Sequence, residues 1–297
     1  MIFPAWIGGS PNLESLIVDL HKRVLEVASD LLPLFKTYAS EARFGASVIE
    51  SDVHDLSSGC QILEIGAGIL LLSCHLQREG HAITAVEPVG RGFSHFDRLR
   101  EIVLDYASEG GFAPALYTIP AEDLEFASEF DYAFSINVME HVGDAAVVLR
   151  RVLEAIRPGG RYRFLCPNYL FPYEPHFNMP TLFSKALTER LLGKYIRSSQ
   201  SVVDPEGTWT SLNWISVPQV RRICCKELNN LGVDPVFNRS VFYHFIQRAL
   251  YDNDFQNRRS PMILSILQAL DRLGMTRLLI KIPVVCQPAM DCVIVRA

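Results

Sequence analysis

Apolar side chains recur along residues 11–36 at Leu13, Leu16, Ile17, Leu20, Val24, Leu25 and Val27. That spacing follows the roughly 3.6-residue period of an amphipathic helix. A polar stretch at 51–59 (SDVHDLSSG) reads as a linker. The period then changes. Gln61–Ile65 is a short apolar run ended by Gly66-Ala67-Gly68, and Ile69–Glu79 reads as a helix. His81–Val86, Ala115–Ile119 and Asp131–Ile136 are further strand-like runs, with helices expected at Gly92–Ser108 and Asp144–Ile156. Arg157-Pro158-Gly159-Gly160 reads as a turn that feeds a fifth strand, Arg161–Cys166. Short apolar runs alternating with helices predict βαβ units and a parallel sheet covered on both faces.

After Pro167 the regularity breaks. Residues 167–216 are rich in Pro, Tyr, Phe and Trp, with one clear helix near Thr181–Leu192. A helix at Val217–Leu231, a strand at Val233–Phe237 and two helices within 241–274 follow. The continuous apolar run Met290–Arg296 suits a buried last strand.

Composition narrows the class. With 49% hydrophobic and 21% charged residues in 297, the chain is an ordinary folded protein, which excludes disordered and coiled-coil readings. The start, MIFPAWIGGS, lacks the pattern of a signal peptide, and no apolar run reaches the roughly 18–20 residues of a membrane span. Seven cysteines without a C-x-x-C pair read as reduced thiols and a cytoplasmic protein. The eight histidines are dispersed, with no H-x-H or H-E-x-x-H, so no metal site is expected. Charge is divided unevenly. Residues 1–149 hold 22 acidic and 8 basic side chains, and residues 150–297 hold 11 acidic and 20 basic. Many of the latter fall between Arg190 and Lys281, among them Arg221, Arg222, Arg248, Arg258 and Arg259. A positive surface favours an anionic acceptor or an anionic lipid surface. Residues 261–282 are amphipathic enough for peripheral membrane contact, although a helix packed on the core is the simpler expectation.

The chemistry begins at the glycine turn. Gly66 and Gly68 let the backbone turn sharply after a strand and let a ligand approach the main chain. Glu87, 19 residues beyond Gly68, ends the second strand, where a carboxylate accepts from both ribose hydroxyls. Leu71 stands where a dinucleotide enzyme has its third glycine, which weakens an NAD or FAD reading. Glu64 would repel a pyrophosphate but suits a cation. A ribose-bearing cation without phosphate is S-adenosylmethionine (SAM).

On these residues the chain resembles the class I SAM-dependent methyltransferases. The motifs are Leu63-Glu64-Ile65-Gly66-Ala67-Gly68, Glu87, Pro120-Ala121-Glu122-Asp123-Leu124, the run Phe130–Val142 and the R-P-G-G turn. They cover about residues 60–166 and are similar to the small-molecule type, the ubiquinone-biosynthesis O-methyltransferase-like group. The stretch Pro167–Phe177 is similar to one in methyltransferases of polysaccharide pathways. The resemblance implies an α/β, Rossmann-like sheet of seven mostly parallel strands with the last antiparallel, plus a helical cap and insertions. It implies SAM as cofactor and S-adenosylhomocysteine as product, held by Glu64, Gly66, Ala67, Gly68, Glu87, Pro88, Ala121, Glu122 and Asn137. Pro120 replaces the Asp that many relatives place before the Ala-Glu-Asp-Leu segment, so adenine would rest on Ala121 and Glu122.

Methyl transfer needs alignment and, for an oxygen acceptor, a base. His141 is one candidate base, with Glu140 beside it and His176 in the aromatic stretch; an alternative for the Glu-His pair is that it only organises its loop. Tyr169, Tyr173, Glu174 and Trp209 are candidate acceptor contacts. The expected organisation is a helical cap (1–58), a SAM-binding core (59–166), a substrate lid (167–216) and a C-terminal completion (217–297) with a helical insertion at about 238–289. The expected reaction is O-methylation of a small-molecule or lipid- or sugar-linked acceptor. Another transfer chemistry on SAM, or a catalytically degenerate partner domain, are the alternatives. Nucleic acid is disfavoured, because Asn137-Val138-Met139-Glu140 stands where amino-methylating enzymes carry Asn/Asp-Pro-Pro-Tyr/Phe.

Overall fold

A computed structural model describes residues 10–57, 59–88, 95–200, 202–257, 260–279 and 281–297. The start of the helix expected from Gly92, and Arg258 and Arg259 of the basic series, lie outside the described residues. The strands are β1 (Gln61–Ile65), β2 (Ala82–Val86), β3 (Ala115–Tyr117), β4 (Phe130–Ile136), β5 (Ile156–Pro167), β6 (Tyr173–Glu174), β7 (Met179–Pro180), β8 (Pro235–Asn238) and β9 (Ala289–Val295). Seven form one sheet in the order β3-β2-β1-β4-β5-β9-β8. β1 runs parallel to β2 and β4, and β2 runs parallel to β3. β9 is antiparallel to both β5 and β8. The Rossmann-like sheet with an antiparallel last strand is therefore present. β6 and β7 form a separate small hairpin.

The chain divides into two compact units. The first comprises Met1–Ser135 and Glu154–Gly160. Its leading helices are α1 (Pro11–Val27) and α2 (Leu32–His54), followed by α3 (Leu71–Arg78) and α4 (His95–Glu109). The helix expected over 11–36 is two helices. Ala28 leaves helical geometry (φ −157°, ψ 58°), and Pro33 opens the next helix, where its missing N–H costs nothing. Leu13, Leu16, Ile17, Leu20 and Val24 are buried as the period predicts, whereas Leu25 and Val27 stay about half exposed. The expected linker at 51–59 is helical through His54, because Asp52 turns inward and accepts from the Tyr132 hydroxyl at 3.2 Å. Arg43 grips Glu14 through two bonds of 2.6 and 2.8 Å, which joins α2 to α1. Asp131 accepts from the Gln61 N–H at 2.8 Å and from Arg157 at 2.6 Å, so one carboxylate ties the starts of β1 and β5 to β4. The Arg157–Gly160 turn lies within β5 itself, with Gly159 at φ +82°.

The second unit comprises Ile136–Leu153 and Arg161–Ala297. It holds α5 (Ala145–Ala155, up to Leu153), α6 (Lys185–Arg197), α7 (Pro205–Ser211), α8 (Val217–Lys226), α9 (Ser240–Tyr251), α10 (Asn253–Gln256), α11 (Pro261–Arg272) and α12 (Thr276–Leu279). The stretch 167–216 carries two helices and a hairpin rather than one helix. α7 escapes the periodicity argument because it is short and starts from a cap: Asp204 accepts the Gly207 N–H at 2.9 Å and Pro205 takes the first position. Tyr169, Phe177, Met179, Ile196, Trp209 and Leu212 form one apolar cluster. Tyr169 stacks on Trp214 at 5.3 Å, and Phe177 meets Trp209 edge-on at 5.9 Å. Arg163 on β5 and Asp291 on β9 form a buried pair with bonds of 2.9 and 2.7 Å, and Asn238 on β8 adds a third bond to Asp291 at 3.2 Å. α11 has no fully buried residue and Met262 is 69% exposed, while Ile263, Leu264, Leu267 and Leu270 are half-buried, so one face of this amphipathic helix is only partly covered.

Candidate active site

In the first unit the glycine turn is built by the strand ends on either side. The N–H groups of Gly66 and Ala67 both donate to the Val86 carbonyl, at 2.7 and 3.2 Å. Gly66 and Gly68 adopt φ of +72° and +54°, which L side chains rarely tolerate. A Cβ on Gly68 would meet nothing within 4 Å, so open space lies against the main chain there. Glu87 Oε2 accepts the Gly68 N–H at 2.8 Å, so the acid at the end of β2 also holds the turn in shape. Burial raises the Glu87 carboxyl, and the Gly68 N–H offsets part of that rise. Glu64 is buried on β1 and takes a short bond from the Ser73 hydroxyl on α3. Burial drives its carboxyl to about 8, opposed by Ser73 and reinforced by the charge of Glu87. Two acids around a glycine turn fit a ligand that offers a cation and hydroxyls, and oppose one that offers phosphates.

Ala121 is buried at the start of a short 3-10 turn, Ala121–Asp123, with Glu122 half-buried beside it. Pro88 is exposed directly after Glu87. Of the cofactor candidates, Asn137 alone belongs to the second unit. It sits at φ +57°, and its N–H donates to Leu165 O at 2.7 Å.

The catalytic candidates gather in the second unit. Glu140, His141 and His176 each place one potential ligand atom within 4.8 Å of the others. The two imidazoles meet edge-on, with centroids 5.1 Å apart. Glu140 is fully buried, and neither of its carboxylate oxygens has a hydrogen-bond partner among the described residues. Burial lifts its carboxyl to about 7, with the neighbouring His176 pulling the other way. His141 Nδ1 pairs with Ser211 Oγ at 2.8 Å, and burial, aided by His176, depresses this imidazole to about 3. His176 Nδ1 pairs with Glu174 Oε1 at 2.6 Å. Glu174 is itself buried and accepts the Tyr169 hydroxyl at 3.1 Å and the Phe177 N–H at 2.7 Å. Burial pushes its carboxyl up, but His176 and the Phe177 N–H more than offset that and hold it below the usual range.

Tyr173 reaches Asn178 Oδ1 at 2.7 Å through its hydroxyl. Trp209 is buried in the apolar cluster, its indole N–H without a hydrogen-bond partner among the described residues. Sequence reasoning missed Ser73, Ser211 and Asn213. Asn213 donates its N–H to Glu140 O at 2.8 Å and its side-chain amide to Met139 O and Val142 O at 2.7 and 2.9 Å. It therefore clamps the loop that carries Glu140 and His141. A lone Asn about 70 residues from its partners leaves no local signal.

Comparison with known proteins gives the family. Residues 21–205 match a methyltransferase-domain family, and the chain belongs to it as a class I SAM-dependent methyltransferase. A Mycobacterium tuberculosis protein described only as uncharacterized is 42% identical over 253 residues, 85% of this chain and 84% of that one. The ubiquinone biosynthesis O-methyltransferase of Azorhizobium caulinodans is 34% identical over 103 residues, 34% of this chain and 38% of that protein. Among solved structures, Haemonchus contortus phosphoethanolamine N-methyltransferase 2, with phosphomonomethylethanolamine and S-adenosylhomocysteine, aligns at a TM-score of 0.52 and 13% identity. The alignment covers 94% of this chain and 58% of that one. The geranyl diphosphate C-methyltransferase of Streptomyces coelicolor aligns at 0.50 and 11% identity, over 99% of this chain and all of the other. These identities speak for the shared fold. Among the described residues, no helix is long and apolar enough to cross a membrane.

Proposed function

We propose that this methyltransferase acts on oxygen, in a small-molecule or lipid- or sugar-linked acceptor that carries negative charge. The observation that carries the reading is the cluster of two buried carboxylates, Glu140 and Glu174, with the half-buried imidazoles of His141 and His176. A hydroxyl holds its proton too tightly to react unaided near neutral pH, so an oxygen acceptor needs groups that take or displace that proton. A neutral amine needs none. Here Glu174 fixes the His176 ring and Ser211 fixes the His141 ring, so both imidazoles are oriented before an acceptor arrives.

Bound SAM supplies a methyl group on a positively charged sulfur, a leaving group already activated for displacement. Glu87 accepts the ribose hydroxyls while keeping the Gly68 turn in place. The Gly66-Ala67-Gly68 backbone, open to a ligand at Gly68, would hold the cofactor, and Glu64 would answer its positive charge. Pro88, Ala121 and Glu122 would add cofactor contacts in the first unit, and Tyr169, Tyr173, Glu174 and Trp209 would contact the acceptor.

The similarity to ubiquinone-pathway O-methyltransferases supports oxygen as the acceptor atom. The excess of basic residues after residue 150 supports an anionic acceptor. Arg248 is not part of that surface. It is buried against the Phe255 ring at 4.4 Å and paired with Asp252 at 3.3 Å. A cytoplasmic site of action is part of the same reading.

The test is methyl transfer from labelled SAM into cell extract split into lipid, sugar-nucleotide and protein fractions. NMR of the labelled product should place the new methyl on oxygen, in an anionic lipid or sugar compound. A methyl on nitrogen or carbon, or label confined to protein, would overturn the reading.

A further inference from the structure

A fully buried carboxylate without a hydrogen-bond donor is expensive, because the desolvation of a charge is normally offset by pairing. Among the described residues Glu140 is in that position, and its surroundings do not explain it. Asn213 is spent on three main-chain carbonyls of the same loop. What Glu140 does have is two imidazoles, each with one nitrogen within 4.8 Å of its carboxylate and of each other. Each ring is also held from behind. His141 Nδ1 bonds Ser211 Oγ, and His176 Nδ1 bonds the buried Glu174 carboxylate. That is the outer-shell arrangement of metal-ligating histidines, in which one nitrogen meets a hydroxyl, carbonyl or carboxylate and the other meets the ion. With Nδ1 used in both rings, coordination falls to Nε2.

We propose that Glu140, His141 and His176 bind a divalent first-row transition-metal ion, whose open positions receive the oxygen of the methyl acceptor. Two imidazoles and one carboxylate favour zinc, iron, cobalt or manganese over calcium or magnesium, which prefer all-oxygen sets. Donors on such an ion stand about 3–3.5 Å apart at bond lengths of about 2.0–2.2 Å. Closure of the three side chains by about an ångström completes the set. Three protein ligands leave room for water or substrate, as in a catalytic rather than a structural site.

The catalytic part of the inference rests on the O-methylation reading above. It assigns these three residues as ligands, so that the cluster displaces the hydroxyl proton by charge. The acceptor hydroxyl at the ion gives its proton to solvent. Its oxygen lone pair forms the O–CH3 bond while the C–S bond of the sulfonium breaks, with that electron pair staying on sulfur. The ion does not change its oxidation state. The proposal departs from the expectation from sequence that the chain has no metal site; its ligands come from the β4–α5 loop and the aromatic stretch and share no short motif.

Cobalt(II) is the probe. Chelator-treated full-length protein should bind one equivalent, with visible d–d absorption and imidazole ligation. Glu140→Gln and His176→Gln should each weaken binding by more than a hundredfold, and Ser211→Ala, which removes the hydroxyl behind His141 together with its bond to Thr208 O, by about ten- to a hundredfold. SAM binding by calorimetry should persist in all three, which separates ligand loss from unfolding. Absence of the absorption band in the wild type, or equal cobalt affinity in the Glu140 and His176 variants, would overturn the site and leave O-methylation standing. Cobalt binding as predicted with a methyl found on nitrogen would uphold the site and overturn the oxygen acceptor.

Discussion

The cofactor turn of the first unit and the Glu-His cluster of the second solve opposite problems. In the cofactor turn the polar partners are near one another in the chain: Ser73 is nine residues from Glu64, and Gly68 is 19 from Glu87. One βαβ unit assembles it, and its acids meet backbone N–H groups and a hydroxyl. In the cluster, His141 depends on Ser211 and its loop depends on Asn213, both about 70 residues away. Glu140 is left without a hydrogen-bond donor among the described residues. A site made within one supersecondary unit binds what every member of the fold binds. A site made by distant segments is free to differ, and acceptor chemistry belongs there.

The largest expected effect is a separation of the two regions by mutation. His141→Ala should lower kcat by about 10²–10⁴-fold and leave the Kd for SAM within about twofold. Glu87→Ala should raise that Kd by roughly a hundredfold, since it removes charge-assisted bonds of about 1.5–3 kcal/mol each. Calorimetry and steady-state rates on both variants decide it. If either variant moved both quantities equally, the division would fail.

The next effect sharpens the electrostatics of the cofactor turn. With its carboxyl near 8 before ligand binds, Glu64 is largely protonated at neutral pH. A cationic ligand favours the ionised form, so binding should release a proton, and affinity should rise with pH and level off above about 8. Calorimetry in buffers of different ionisation heat measures the released proton, and Glu64→Gln should abolish it. Stability follows the same sign. The folded carboxyl lies above its unfolded value of 4.5, so its favourable contribution is complete below that pH and is lost as pH rises through about 8. Glu64→Gln should therefore raise the Tm of the ligand-free protein at pH 9 and leave it nearly unchanged at pH 4.

The smallest effect concerns the uneven charge. Raising salt from about 0.1 to 1 M shortens the screening length from about 10 to 3 Å. The KM for the acceptor should rise several-fold while that for SAM barely moves, since Glu64 and Glu87 are buried. Equal insensitivity of both constants would detach the basic residues from acceptor binding.

Much of the sheet was legible because strand and helix periods depend on neighbours a few residues apart. β1 was read to its exact ends and β4 to within one residue. The misreadings came where one residue outweighed a period. Ala28 with Pro33 divided the first helix, Asp204 with Pro205 started α7, and the inward Asp52 carried α2 through an apparent linker. In the site, the Glu64, Gly66–Gly68 and Glu87 set was readable from spacing and residue type. The roles of Ser73, Ser211 and Asn213 were not, because a hydroxyl or an amide has no periodicity and acquires meaning only from what it touches.

The sequence by itself determined the class of this protein. Alternating periods specify the βαβ sheet, and the glycine turn with its two acids specifies a ribose-bearing cation, both through short-range geometry. Only the tertiary structure decided what surrounds Glu140. It brought His141 and His176 to one carboxylate, fixed each ring from behind, and left that carboxylate without a donor among the described residues. The physical reason is that hydrogen bonding and desolvation act between groups adjacent in space, and about 35 residues of chain separate Glu140 from His176.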